Sequence, residues 1–153
     1  MADALIIFGA DYLIWACVAV AAVAVALLPK DRRVRALALI AISLPLTYLV
    51  AKFASALYYN PRPFVTGGFT PLVYHAPDNG FPSDHTLLAS AIATTVYVYR
   101  RRIGLFLVAG AVVVGVSRIL AGVHSPLDVA ASMAIAVGVT FAVYHLLRRF
   151  THA

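Results

Sequence analysis

The chain has 153 residues, of which 63% are hydrophobic and 12% charged, a balance that excludes an ordinary soluble domain and points to a membrane protein. Its net charge of +6 is mostly gathered into short clusters that read as topology signals, so nucleic-acid binding has little support. With one cysteine, Cys17, there is neither an intramolecular disulfide nor a cysteine-based metal site, and Cys17 reads as a small apolar residue packed in the first span.

In chain order, residues Tyr12 to Pro29, Ala36 to Ala51, Thr86 to Tyr99, Ile103 to Ser117 and Val129 to Leu147 are free of Asp, Glu, Lys and Arg. They predict five transmembrane helices in an all-α polytopic bundle that forms a single domain over 1–153. A helix needs roughly 20 residues to cross a bilayer core of about 30 Å. The first and last segments come close to that length, whereas the middle three reach it only by taking in Lys52, His85 or Arg118. Those three polar residues are therefore expected near one membrane surface. The N-terminus carries Asp3 and Asp11 and no basic residue, which argues against a removable signal peptide. Pro45, inside the second span, is expected to kink it.

Nine of the 12 basic residues fall in Lys30/Arg32/Arg33/Arg35, Arg100/Arg101/Arg102 and Arg148/Arg149. Five alternating spans put these on one side, which the positive-inside rule makes cytoplasmic, with the N-terminus outside. His145 and His152 lie at that cytoplasmic end and read as structural or incidental. One long connection, from about Ala54 to Pro82, holds five of the eight prolines, and a loop of this length in so short a chain is more often functional than filler. Its aromatics, Tyr58, Tyr59, Phe64, Phe69, Tyr74 and Phe81, suit either anchoring at the interface or contact with a lipid.

The same topology brings scattered polar residues to the external surface. Lys52 ends the second span, Ser83 and His85 begin the third, Ser117 and Arg118 end the fourth, and His124 and Asp128 begin the fifth. Ionisable groups at membrane depth are costly, so a convergent set of them is a candidate site. Lys52, Arg62 and Arg118 supply three cations suited to phosphate oxygens. In "GFPSDHT" Ser83 reads as a helix N-cap whose first-turn amides also suit a phosphate; the bland alternative is a cap beside an interfacial histidine. In "GVHSPLD" Ser125 reads as an N-cap with Pro126 at the first helical position. Asp128 then has two compatible uses, as the capping acid three residues after Ser125 and as the acceptor that leaves one nitrogen of His124 unprotonated.

Two histidines facing one phosphate pocket suggest a division of labour, with His124 as nucleophile and His85 as the acid that protonates the leaving oxygen. No carboxylate cluster suited to Mg²⁺ or Zn²⁺ is present, so no metal or cofactor is expected and the basic side chains would neutralise the charge.

These residues resemble the type 2 phosphatidic acid phosphatase family of membrane lipid phosphatases. The family pattern is a lysine six residues ahead of Arg-Pro, then Pro-Ser-Gly-His, then Ser-Arg, five residues, His, three residues, Asp. Its third element is complete here as Ser117-Arg118, His124 and Asp128, and the three motifs run from Lys52 to Asp128.

The resemblance implies a phosphohistidine formed on His124, with Asp128 as its orienting partner and His85 as the acid. It further implies a phosphate held without a metal by Lys52, Arg62, Ser83, Arg118 and the amides near Ser83 and Asp84. Two departures stand out. Nine residues separate Lys52 from Arg62, and Asp84 replaces the glycine. "HAPDNGFPSDH" after "NPRPF" looks like the bacterial undecaprenyl pyrophosphate phosphatases, which implies a polyprenyl diphosphate substrate and carrier-lipid recycling for cell-wall synthesis. That subgroup works in the bacterial cytoplasmic (inner) membrane, with the site facing the periplasm or cell exterior.

His75 and Asp78 then bear either on the diphosphate head or only on the loop. Alternative readings are a phosphatase for phosphatidylglycerophosphate, phosphatidic acid or a polyprenyl-phosphoryl sugar, and a non-catalytic scaffold or carrier that binds a lipid head group. The vanadium haloperoxidases share a similar pocket but are soluble. The sequence sets no oligomeric state.

Overall fold

The computed structural model describes residues 1–151, so His152 lies outside the described residues. Among these the regular elements are all helices, joined by turns and irregular backbone with one isolated bridge between Pro61 and Asn79. Helix α1 (Ala2–Ala26) contains a π-helical turn at Phe8–Tyr12. It is followed by α2 (Lys30–Leu57), a short α3 (Pro63–Gly67), α4 (Asp84–Tyr99), α5 (Arg101–Leu120) and α6 (Pro126–Thr151).

Punctuation in the sequence explains the breaks. Pro29 holds an extended ψ of 147° at the start of α2, where a residue without an N–H costs nothing. Arg100 alone separates α4 from α5, with φ −140° and ψ 80° turning the chain back. α2 runs unbroken through Pro45.

α4 is the hub of the bundle. Its residues Thr86 to Val96 are buried save Leu88, and they pack against every long helix. Ile92, Ala93 and Val96 meet Cys17, Ala21, Ala24 and Val25 of α1, Ala36 of α2 and Leu107 of α5, while Leu87 and Ala91 meet Ala51 of α2 and Ala136 of α6. Small side chains dominate these contacts and let the helix backbones approach closely, the usual solution where lipid gives no hydrophobic drive to associate. Bulky apolar residues point the other way: Trp15, Leu49, Phe53 and Phe106 are 63–69% exposed, as a surface in contact with lipid tails requires.

Of the five predicted spans, four meet the length and apolarity of a membrane-crossing helix by themselves. α1, α2, α5 and α6 are long and apolar enough to cross a membrane, whereas α4 has only 16 residues. The length rule holds for a helix that faces lipid; α4 is enclosed by protein and is not bound by it. Helix directions still alternate. Lys52, His85, Arg118 and His124 line one cavity, while Arg32, Arg35, Tyr99, Tyr144 and Arg148 line another at the opposite, arginine-rich end. The bundle is that of a multi-pass membrane protein.

The connection from α2 to α4 is pinned over the first of these ends. Phe64 N–H donates to the Gly122 carbonyl at 3.1 Å and Leu72 N–H to that of Ala121 at 3.0 Å. Phe64 itself packs on Val73, Ala10, Ala121 and Val123, so it serves the fold rather than the interface, while Tyr59 and Tyr74 stay exposed.

The hairpin between α4 and α5 depends on a missing side chain. A Cβ at Gly104 would overlap the backbone of Tyr97 across the turn. Gly104→Val is therefore expected to lower stability by about 1–3 kcal/mol, the common cost of overpacking. Gly138→Val, at a site where a Cβ meets nothing within 4 Å, is expected to leave the melting temperature in detergent unchanged.

Candidate active site

Two asparagines fix the backbone around the cavity. Asn79 Nδ2 donates to the carbonyls of Ser55 and Tyr58 and to Ser55 Oγ at 3.0–3.1 Å, and its Oδ1 accepts from the N–H groups of Asn60 and Phe81 at 2.9 and 3.0 Å. The end of α2 is thereby tied to the strand of chain that enters α4. Asn60 reaches further, its Nδ2 donating to Ser125 Oγ at 2.8 Å and to Asp128 Oδ1 at 2.7 Å. Asn79 uses both its donors and its acceptor and Asn60 both its donors, which fixes the orientation of each amide.

Asp128 sits wholly buried at the start of α6. Its Oδ2 accepts from Ser125 N–H at 2.7 Å and Ser125 Oγ accepts from Asp128 N–H at 3.3 Å, the reciprocal pair of a capping box. The same Oδ2 lies 3.5 Å from His124 Nδ1. The nearest acceptor of that nitrogen is a backbone oxygen, the Gly80 carbonyl at 2.8 Å.

These partners settle the tautomer of His124. A carbonyl only accepts, so Nδ1 carries the proton; Arg62 only donates, and its Nη1 is 3.4 Å from Nε2, so Nε2 presents its lone pair. Burial lowers the imidazole's affinity for a second proton, the charges of Arg118 and Arg62 lower it further, and Asp128 opposes them without reversing the direction. The ring is held neutral with an unprotonated nitrogen at the cavity.

That cavity has a volume of about 150 Å³, and its walls include Lys52, Arg62, His75, Asp78, Asp84, His85, Arg118 and His124. Eight of the residues singled out in the sequence thus meet. Lys52 reaches the cavity despite its longer spacing from Arg62, with its Nζ 5.2 Å from the centre of the Tyr48 ring.

Arg62 is 4% exposed and donates through Nε to Asp78 Oδ1 at 2.8 Å and through Nη1 to the Val123 carbonyl at 2.9 Å. Burial pushes the Asp78 carboxyl up, but its hydrogen bond and charge contact with Arg62 prevail and hold it below the usual range. Arg118 is 2% exposed and pairs with Asp11 at 2.9 Å. His75 lies edge-on to His124, with ring centres 5.9 Å apart.

Two expectations need correcting. Ser83 precedes α4 as foreseen but makes no side-chain cap; it is wholly buried, its Oγ accepts from Thr86 Oγ1 at 3.1 Å, and the residues lining the cavity do not include it. Ser117 is buried against Gly9 of α1 rather than beside the cavity.

The sequence reading missed Asn60, Asn79, the Gly80 carbonyl and Asp11. Asn79-Gly80 is a turn signal that was available. Nothing local marks a carbonyl as a histidine's acceptor.

The PAP2 superfamily profile matches residues 33–152. The chain is 39% identical over 110 residues to the undecaprenyl-diphosphatase BcrC of Bacillus subtilis, covering 70% of this chain and 55% of that protein. It is 39% identical over 90 residues to the bacitracin transport permease protein BcrC of Bacillus licheniformis, covering 58% and 44% respectively. The chain thus spans about half the length of the curated relatives it matches. A transmembrane PAP2-type phosphatidylglycerolphosphate phosphatase from Bacillus subtilis shares the fold, with a TM-score of 0.60 at 21% identity over 95% of this chain and 74% of that one.

One titration can be anticipated from the geometry. Burial, then the charges of Arg62, Arg118 and His124, lower the pKa of His75 from 6.5 to about 4, against the pull of Asp78. Between those values the unfolded chain binds the proton and the folded one does not, so this group reduces stability as pH falls from 6.5 to about 4. Melting temperatures in detergent are expected to drop across that window, and His75→Asn to make the drop shallower; an unchanged slope contradicts the assignment.

Proposed function

Because the chain belongs to the PAP2 superfamily, we propose that it is a lipid phosphatase that converts undecaprenyl pyrophosphate to undecaprenyl phosphate and inorganic phosphate through a phosphohistidine. The observation that carries this reading is the neutral His124, its Nδ1–H held by the Gly80 carbonyl and its Nε2 facing a cavity walled by Lys52, Arg62 and Arg118. Such a nitrogen is a competent nucleophile beside a site that attracts phosphate.

In the first step the Nε2 lone pair attacks the terminal phosphorus. An N–P bond forms, the bond from phosphorus to the bridging oxygen breaks, and His85 on the same cavity wall delivers a proton to that oxygen. Positive charge develops on the His124 ring, and Asp128 Oδ2 at 3.5 Å stabilises it. In the second step His85 takes a proton from water, the water oxygen attacks the phosphohistidine, and the N–P bond breaks to free phosphate and neutral His124.

Among the described residues no group of three or more His, Cys, Asp and Glu side chains is arranged to hold a metal ion, and in this mechanism charge neutralisation falls to the two arginines and Lys52. The relatives named undecaprenyl-diphosphatase and bacitracin transport permease support the choice of lipid and a role in carrier-lipid recycling. The basic residues at the opposite end of the bundle support an orientation in the bacterial inner membrane with the cavity facing outward.

Purified protein in detergent containing EDTA is expected to release phosphate from the C55 diphosphate. Orthovanadate, which mimics five-coordinate phosphorus, is expected to inhibit it, and His124→Ala to lower turnover by about 10³-fold or more. Wild-type turnover in His124→Ala overturns the mechanism. A higher kcat/KM for phosphatidylglycerophosphate, phosphatidic acid or a polyprenyl-phosphoryl sugar overturns the choice of lipid.

A further inference from the structure

The guanidinium of Arg118 is unevenly satisfied. Its Nη1 donates to Asp11 Oδ1 at 2.9 Å, while Nε and Nη2 are buried without a hydrogen-bond partner among the described residues. Nε and Nη2 together form one of the two-pronged edges of an arginine, spaced to meet two oxygens of one phosphate. Buried charged donors are costly to leave unpaired, and a bound phosphoryl group would supply the acceptors this edge lacks.

Asp11 belongs to α1, outside residues 33–152 matched by the family profile, and it does not line the cavity. Two features of α1 bring it to Arg118. The π-helical turn Phe8–Tyr12, closed by Leu13 N–H on the Phe8 carbonyl, contains it; such turns insert one residue into a helix and recur at functional sites. In the same turn Gly9 rests so closely on Ser117 that a Cβ would overlap its hydroxyl oxygen. The helix therefore touches α5 at the residue next to Arg118.

We propose that Asp11 is the positioning residue for Arg118: by occupying Nη1 it leaves the buried Nε–Nη2 edge, on a residue that lines the cavity, free to grip two oxygens of the phosphoryl group. The inference rests on the phosphate-binding role of Arg118 in the reading above. Asp11 touches no reacting atom and acts through the orientation of its partner.

The test separates geometry from charge by measuring vanadate affinity, from thermal shifts of the full chain in detergent, together with kcat/KM on the C55 diphosphate. Asp11→Ala is expected to weaken vanadate binding and to lower kcat/KM by about tenfold, in line with the loss of one hydrogen bond to a charged group. Asp11→Asn keeps an acceptor oxygen in the same position and is expected to stay within about threefold of wild type.

Asp11→Glu keeps the charge but displaces the oxygens, and is expected to behave like alanine; it carries the comparison should Asp11→Ala fail to fold. Wild-type vanadate affinity in both Asp11→Ala and Asp11→Glu overturns the proposal, as does an Asp11→Asn variant as weak as alanine. If the unaltered chain binds vanadate but hydrolyses no lipid phosphate, the enzymatic reading fails while the binding series still decides the role of Asp11.

Discussion

A guanidinium withdrawn from water is costly unless its N–H groups meet acceptors, and this chain buries two of them at one end of the bundle. Arg62 and Arg118 are 4% and 2% exposed. The partners of Arg62 come from three places: the Asp78 carboxylate, the Asn79 carbonyl in the long connection and the Val123 carbonyl in the turn before α6. Satisfying one side chain thus draws two separate segments together. Among the described residues Arg118 has a single hydrogen-bond partner, Asp11 of α1. Loop, turn and first helix are held at the same end by the need to give acceptors to cations withdrawn from water.

His124 gains from this arrangement without taking part in building it. The segment that supplies its acceptor, Gly80, follows Asn79 directly, and Asn79 is itself tied to the end of α2. Asp128, which the sequence offered either as a cap or as a partner for histidine, does both with one oxygen: Oδ2 accepts from Ser125 N–H and lies within 3.5 Å of the imidazole. The cap fixes where the carboxylate stands, and the imidazole takes advantage of a charge already anchored.

Much of this was legible in the chain. Charge clusters alternating with apolar runs gave the helix directions, and those directions alone require that Lys52, His85, Arg118 and His124 meet. What escaped depends on backbone shape or on a partner far away in sequence. A carbonyl that orients a histidine carries no residue-type signature. Asp11 could be read only as part of an acidic N-terminus, because its partner lies 107 positions away. That α4 is enclosed by protein did not show, because hydropathy cannot tell a helix facing lipid from one facing protein, and Ser83 was read as a cap because the sequence does not show that Thr86 engages its hydroxyl.

The modest length of α4 has a consequence for how a lipid would meet this protein. Sixteen residues rise about 24 Å, against about 30 Å of hydrocarbon. Were the Arg100 end at one interface, the cavity end of α4 would lie a few ångströms short of the opposite head-group plane. Under the proposed function, a lipid phosphate reaching His124 would sink slightly while its tail stayed among other tails. The bundle would then bring the site down to the depth of the scissile bond, with no long chain lifted into water.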